Sequence, residues 1–81
     1  MKNQDVIENY FNFMQGRSSN GNLFTSGDKL INYSTPLVVY YNGTFTINTK
    51  KYSPTTSKIQ TYIKNYIKSH NLQNVIYSDL F

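Results

Sequence analysis

Four acids, one histidine and eight Lys or Arg residues are the chain's ionisable groups, tyrosine and the termini aside. General acid–base chemistry needs a group that titrates near neutrality, or two carboxylates held in different environments. Asp5 and Glu8 fall a turn apart on one helical pattern, where negative charge complements the helix dipole. Asp28 and Asp79 have no acidic neighbour in sequence. His70 falls at the end of a second helical pattern, a position from which an imidazole bonds free carbonyls. Ser and Thr are plentiful, but a hydroxyl nucleophile needs an adjacent base. The chain has no Cys, so disulfides and thiolate zinc sites are excluded, and a lone His cannot build a His-only site. These residues point to a non-enzymatic protein that needs no cofactor.

Binding chemistry is better represented. The stretch Lys29 to Ser78 carries six lysines and no acid, and the net charge is +4. Such a balance favours acidic partners: nucleic acid, an anionic protein face or a lipid surface. Arg17, Lys50, Lys51, Lys58, Lys64 and Lys68 would have to lie on one side to follow a phosphate backbone. Exposed Tyr40, Tyr41 or Tyr52 would add stacking on single strands. The segment Tyr52-Ser53-Pro54-Thr55-Thr56-Ser57-Lys58 opens the second helix, where free N–H groups favour anions. Ser53, Thr55 and Thr56 with Lys50, Lys51 and Lys58 make either an anion seat or a helix cap. The same lysines equally well solvate the outer face of an amphipathic helix. Base-specific readout is not indicated, since there is one Arg and no helix-turn-helix or RNA-recognition pattern.

The elements that must position these residues are legible from periodicity. A chain of this length makes one domain, residues 1–81, with a modest core. Asp5 to Met14 repeats apolar residues at helical spacing, with Asn3 as a cap and Gly16 as a stop. Residues 16–21 form a polar loop long enough to be mobile. Strands are predicted at Asn22 to Thr25, Lys29 to Tyr33, Leu37 to Tyr41 and Thr44 to Asn48. Ser26-Gly27-Asp28, Ser34-Thr35-Pro36 and Asn42-Gly43 separate them, the last being a strong hairpin signal. Ser53 and Pro54 start the second helix, whose stripe is Ile59, Tyr62, Ile63, Tyr66 and Ile67, and His70-Asn71 closes it. Val75 to Tyr77 reads as a short strand or an extended tail docked on the core. The sum is an α+β fold: a helix, a four-stranded antiparallel meander, a helix packed on one sheet face, and a short tail. If both helices share one face, the other exposes Val38 or Val39 and Tyr40 or Tyr41, an interface candidate. Tyr40, Tyr41, Tyr52, Lys50 and Lys51 are therefore the expected partner-binding residues. The start of the chain has no apolar core of a signal peptide, and the longest apolar run, Leu37 to Tyr41, is far short of a membrane span. A cytoplasmic chain without a membrane partner is expected.

Two segments resemble a known pattern. Gly27-Asp28-Lys29-Leu30-Ile31-Asn32-Tyr33 fits G-D/N-x-L-x-x-Y, and Tyr52-Ser53-Pro54-Thr55-Thr56-Ser57-Lys58-Ile59-Gln60 fits Y-S-x-T-T-S-x-x-Q after the pair Asn48-Thr49. The combination, over residues 16–61, resembles a small uncharacterised domain of phages and other mobile elements. Where that pattern often has His before the Gln, this chain has Ile59. The resemblance implies a phage-like origin, action inside a host bacterial cell and no particular mechanism. Small accessory proteins of mobile elements often inhibit host defence, anti-CRISPR proteins among them. On that association the expected partner is a bacterial defence protein or nucleoprotein complex, such as a CRISPR effector, held by protein contact. A basic chain does not mimic DNA, so it would meet an acidic or apolar protein surface, or bound nucleic acid. The alternatives are a basic nucleic-acid-binding module and a self-associating assembly protein that pairs as a homodimer.

Overall fold

The computed structural model describes residues 1–81 and is α+β. Its elements are α1 (Asn3–Phe11), β1 (Leu23–Ser26), β2 (Lys29–Asn32), β3 (Thr35–Tyr41), β4 (Thr44–Asn48), α2 (Pro54–Ser69) and β5 (Val75–Ser78). The strands form one sheet in chain order, antiparallel from β1 to β4. The sheet has five strands rather than four: the tail pairs with β4 in parallel, so β4, α2 and β5 make a crossover unit. No helix is long and apolar enough to cross a membrane.

The first helix is shorter than its apolar spacing predicts and starts earlier. Lys2, not Asn3, takes the cap position, and its backbone N–H donates to the Asp5 carboxylate at 3.3 Å. The helix stops at Phe11 because Phe13 turns left-handed, with φ 61°. Phe13 N–H donates to Tyr10 O at 3.0 Å and Met14 N–H to Asn9 O at 2.8 Å, the paired closing bonds of a Schellman turn. Glycine is usual there, and a bulky residue is strained by about 1 kcal/mol or more. The Phe13 ring, though largely exposed, touches Tyr40 and Phe45, with centroids 5.1 and 5.9 Å away. α2 ends in the same motif with Asn71 left-handed, as its residue type predicts.

The loop at residues 16–21 is pinned rather than mobile. Ser18 is buried; its N–H donates to Leu23 O at 2.8 Å, and its hydroxyl accepts from Leu23 N–H at 3.1 Å. Thr25 N–H donates to Gly16 O at 3.0 Å, and Arg17 bridges Phe24. This segment therefore covers the outer edge of β1.

The Ser34-Thr35-Pro36 break is also displaced. The chain reverses at Tyr33-Ser34, with Tyr33 at φ 58°, and Pro36 lies inside β3. A bulge makes that possible, since sheets accept proline beside one. Ile31 faces Pro36 and Leu30 faces Val38, so Leu37 has no partner. Leu37 and Val38 then both point to the covered side, and both are fully buried.

Both helices contribute to one core with that side of the sheet. Val6, Ile7, Tyr10 and Phe11 from α1 and Ile59, Ile63 and Ile67 from α2 meet Leu23, Leu30, Leu37, Val38, Phe45 and Ile47. Ile63 sits at its centre with no exposed surface. Ile63→Ala is expected to destabilise the chain by about 3 kcal/mol, read from the urea unfolding midpoint.

Candidate functional site

Alternation along the strands assigns the second sheet face. With Leu23, Leu30, Val38, Phe45 and Ile47 in the core, Phe24, Ile31, Val39 and Thr46 point the other way. The register sets them in two neighbouring rows: Phe24, Ile31 and Pro36 face one another in turn, and so do Lys29, Val39, Thr46 and Ile76. No helix covers this stripe. Tyr41 stands beside it, 76% exposed, and Lys29 is paired with Val39. The Arg17 guanidinium lies over the Phe24 ring, 5.2 Å from its centroid. The result is an apolar band with cations at the β1–β2 end.

The expected partner-binding residues do not gather in one place. Tyr41 belongs to the uncovered face. Tyr40 points to the helix side, against Phe45 at 4.7 Å between centroids. There it lines a pocket of about 200 Å³ with Phe13, Met14 and Tyr10. Tyr52 is half-buried, and its hydroxyl accepts from Asn48 Nδ2 at 2.9 Å. The Lys50 ammonium donates to Phe81 O at 3.1 Å, and Lys51 is exposed. Sequence spacing could not separate Tyr40 from Tyr41, because the bulge at Leu37 decides which of them faces outward.

The basic residues are also dispersed. Helical geometry puts Lys64 and Lys68 on one flank of the α2 stripe and Lys58 on the other, about 120° from the stripe's centre on each side for Lys58 and Lys64. Lys58 lines a groove of about 450 Å³ with Lys2, Ser19, Asn20 and Thr55. Arg17 sits at the opposite sheet edge from Lys50. A continuous phosphate-tracking stripe is not what these positions form.

The hydroxyl-rich start of α2 is mostly engaged in the fold. Ser53 caps the helix by accepting from Thr56 N–H at 3.5 Å. The buried Thr56 hydroxyl donates to Asn32 Oδ1 at 2.8 Å, and Asn32 Nδ2 donates to Asn22 O at 2.9 Å. Gln60 Nε2 donates to Asn48 O at 3.0 Å and to Lys50 O at 2.9 Å. Asn48 Nδ2 donates to Pro36 O at 2.9 Å as well as to Tyr52. No buried side-chain nitrogen or oxygen is left without a partner. This staple was missed from sequence, though Asn32, Asn48 and Gln60 among strand and stripe positions were its signal. It also gives the Y-S-x-T-T-S-x-x-Q pattern an architectural role, because Tyr52, Ser53, Thr56 and Gln60 all bond within it. Thr55, in contrast, is exposed and free to meet a ligand.

The remaining ionisable groups are few. No three His, Cys, Asp or Glu side chains come together. The His70 ring stacks on Tyr66 with centroids 3.9 Å apart, and its Nδ1 lies 3.0 Å from Tyr66 O. The Tyr10 hydroxyl donates to Asp28 O at 2.7 Å. Burial, with the nearby Asp28 charge, pushes this phenol well above the usual tyrosine range. Compared with family models, curated proteins and solved structures, the chain finds no match in any of the three.

Two expectations follow. Gln60→Leu removes the donor of two carbonyls and should cost about 2 kcal/mol in urea unfolding, whereas Thr55→Ala should stay within about 0.5 kcal/mol of the parent. For Tyr10, only the unfolded chain loses the phenolic proton at its ordinary pKa, about 10. Its contribution to stability is thus complete below that pH and lost progressively above it. Unfolding midpoints measured from pH 8 to 11 should fall at the alkaline end, and Tyr10→Phe should reduce that fall.

Proposed function

We propose that this chain is a non-enzymatic binding protein that acts by laying its uncovered sheet face on another protein. The observation that supports this reading is the band Phe24, Ile31, Val39 and Ile76 with Tyr41 beside it, left bare by two helices that share the opposite face. Half-buried β-branched and aromatic side chains on a rigid sheet lose little conformational freedom on docking, which favours tight contact. Arg17 and Lys29 at one end select a partner with an apolar centre and acidic groups on the matching side. The sequence resemblance extends the reading: the protein belongs to a phage or other mobile element and inhibits a bacterial defence complex, a CRISPR effector being the leading candidate.

A second reading, as a nucleic-acid module, is favoured at one place. The groove between α1, residues 18–20 and α2 brings Lys2 and Lys58 together with Ser19, Asn20 and Thr55. Phosphate contacts there would weaken steeply with salt.

One set of variants separates the two. Val39→Lys and Tyr41→Ala, with circular dichroism unchanged, should each reduce capture of the defence complex at least tenfold and restore host interference against phage plating. The triple change Lys58→Glu, Lys64→Glu, Lys68→Glu should leave capture unchanged and host interference still suppressed. The reverse pattern, with a salt-sensitive gel shift lost in the triple variant, would overturn the sheet-face reading in favour of phosphate binding.

A further inference from the structure

The two edges of the sheet differ. Residues 16–18 hydrogen-bond along β1, so that edge is filled. β5 has nothing beyond it. Phe45 N–H donates to Asn74 O at 2.9 Å and Thr49 N–H to Ser78 O at 2.8 Å. Asn74, Ile76 and Ser78 therefore turn their peptide groups toward β4, and Val75 and Tyr77 turn theirs outward to solvent. Natural sheets guard such edges with lysine, proline or a bulge. Val75-Ile76-Tyr77-Ser78 has none of these. Instead it carries exposed apolar side chains: Ile76 is 56% exposed and Tyr77 50%, and Leu80 just beyond the strand is 90% exposed.

We propose that β5 pairs antiparallel with β5 of a second copy about a two-fold axis at Ile76, joining two five-stranded sheets into one. The outward-facing residues fix this register. Val75 of each copy exchanges both backbone hydrogen bonds with Tyr77 of the other, and Ile76 meets its own counterpart. Ile76 and its counterpart form a non-hydrogen-bonded pair, the type whose Cα atoms approach to about 4.5 Å. On the helix side, Val75 meets Tyr77, a β-branched and aromatic pair that stabilises sheets. At the strand ends Asn74 meets Ser78, and beyond them both chains bend out of the strand. No two like charges are opposed. A second copy fits this edge better than an unrelated strand because the same four residues complement themselves under the two-fold. The interface is short, so the dimer fraction rises with protein concentration. The uncovered bands of the two copies become continuous, with the Ile76 pair at their junction.

The chain has no native Cys, so single cysteines report the register directly. Ile76→Cys places two thiols within disulfide reach across the axis, while Tyr77→Cys places each thiol opposite Val75. Under mild oxidation, Ile76→Cys should form covalent dimer at least tenfold faster than Tyr77→Cys. Ile76→Lys should sediment as a monomer, with unchanged circular dichroism, at concentrations where the parent chain dimerises. Equal rates for the two cysteine variants, faster linkage at 77, or a parent chain that stays monomeric at millimolar concentration would overturn the proposal. None of these measurements involves the partner of the uncovered face, so failure here leaves the sheet-face reading standing.

Discussion

The hydrogen bonds that Gln60 and Thr56 send from α2 into the sheet set the position of everything after β4. An apolar stripe alone allows a helix to slide or roll by a fraction of a turn, because hydrophobic contact is non-directional. A buried amide that must meet two particular carbonyls allows neither. Gln60 spans Asn48 and Lys50 at the end of β4, and Thr56 reaches Asn32 at the end of β2, so α2 is held at two separate strands. With the helix placed, Ile59, Ile63 and Ile67 face the core, and the chain leaves α2 where it can run alongside β4. Every buried polar atom in the network is satisfied. A small core therefore gains a defined geometry without carrying an orphaned amide.

The second governing feature is the bulge at Leu37. It places two successive large side chains on the helix side, enriching the core of a chain that has little apolar residue to spare. It also inverts the alternation of everything downstream in β3. Without it, Val39 and Tyr41 would point to the helices, and Val38 and Tyr40 would be left bare. The composition of the uncovered band is thus decided by one unpaired residue two positions away.

Much of the architecture was readable from residue types. Asn42-Gly43 marks its hairpin because both residues accept positive φ, and the structure has them at 53° and 83°. Ser53-Pro54 starts α2, and the Ile59-Ile63-Ile67 stripe is its buried face. What was not readable depended on tertiary context. Pro36 is a strand breaker by local rule and is tolerated only because the bulge beside it removes the need for regular pairing. Phe13 ends α1 early by taking a left-handed backbone usual for glycine, which no spacing within residues 5–14 could announce. The order of β5 beside β4 follows from the path of α2, and that path depends on side-chain amides that look like ordinary polar residues in the sequence. The candidate site shares this limit: its residue types were visible, but their division between two faces was not.

The segment at residues 16–18 has a further effect through the edge it occupies. A sheet with two open sides can add neighbours indefinitely, each new molecule offering the next a fresh template, and that is how fibrous aggregates grow. Here one side is already occupied by residues 16–18 of the same chain. Any association through the remaining side consumes the sole template available, so growth stops once it is used. The short loop that ties Ser18 to Leu23 therefore acts as a terminator, keeping an otherwise unguarded strand from seeding a filament.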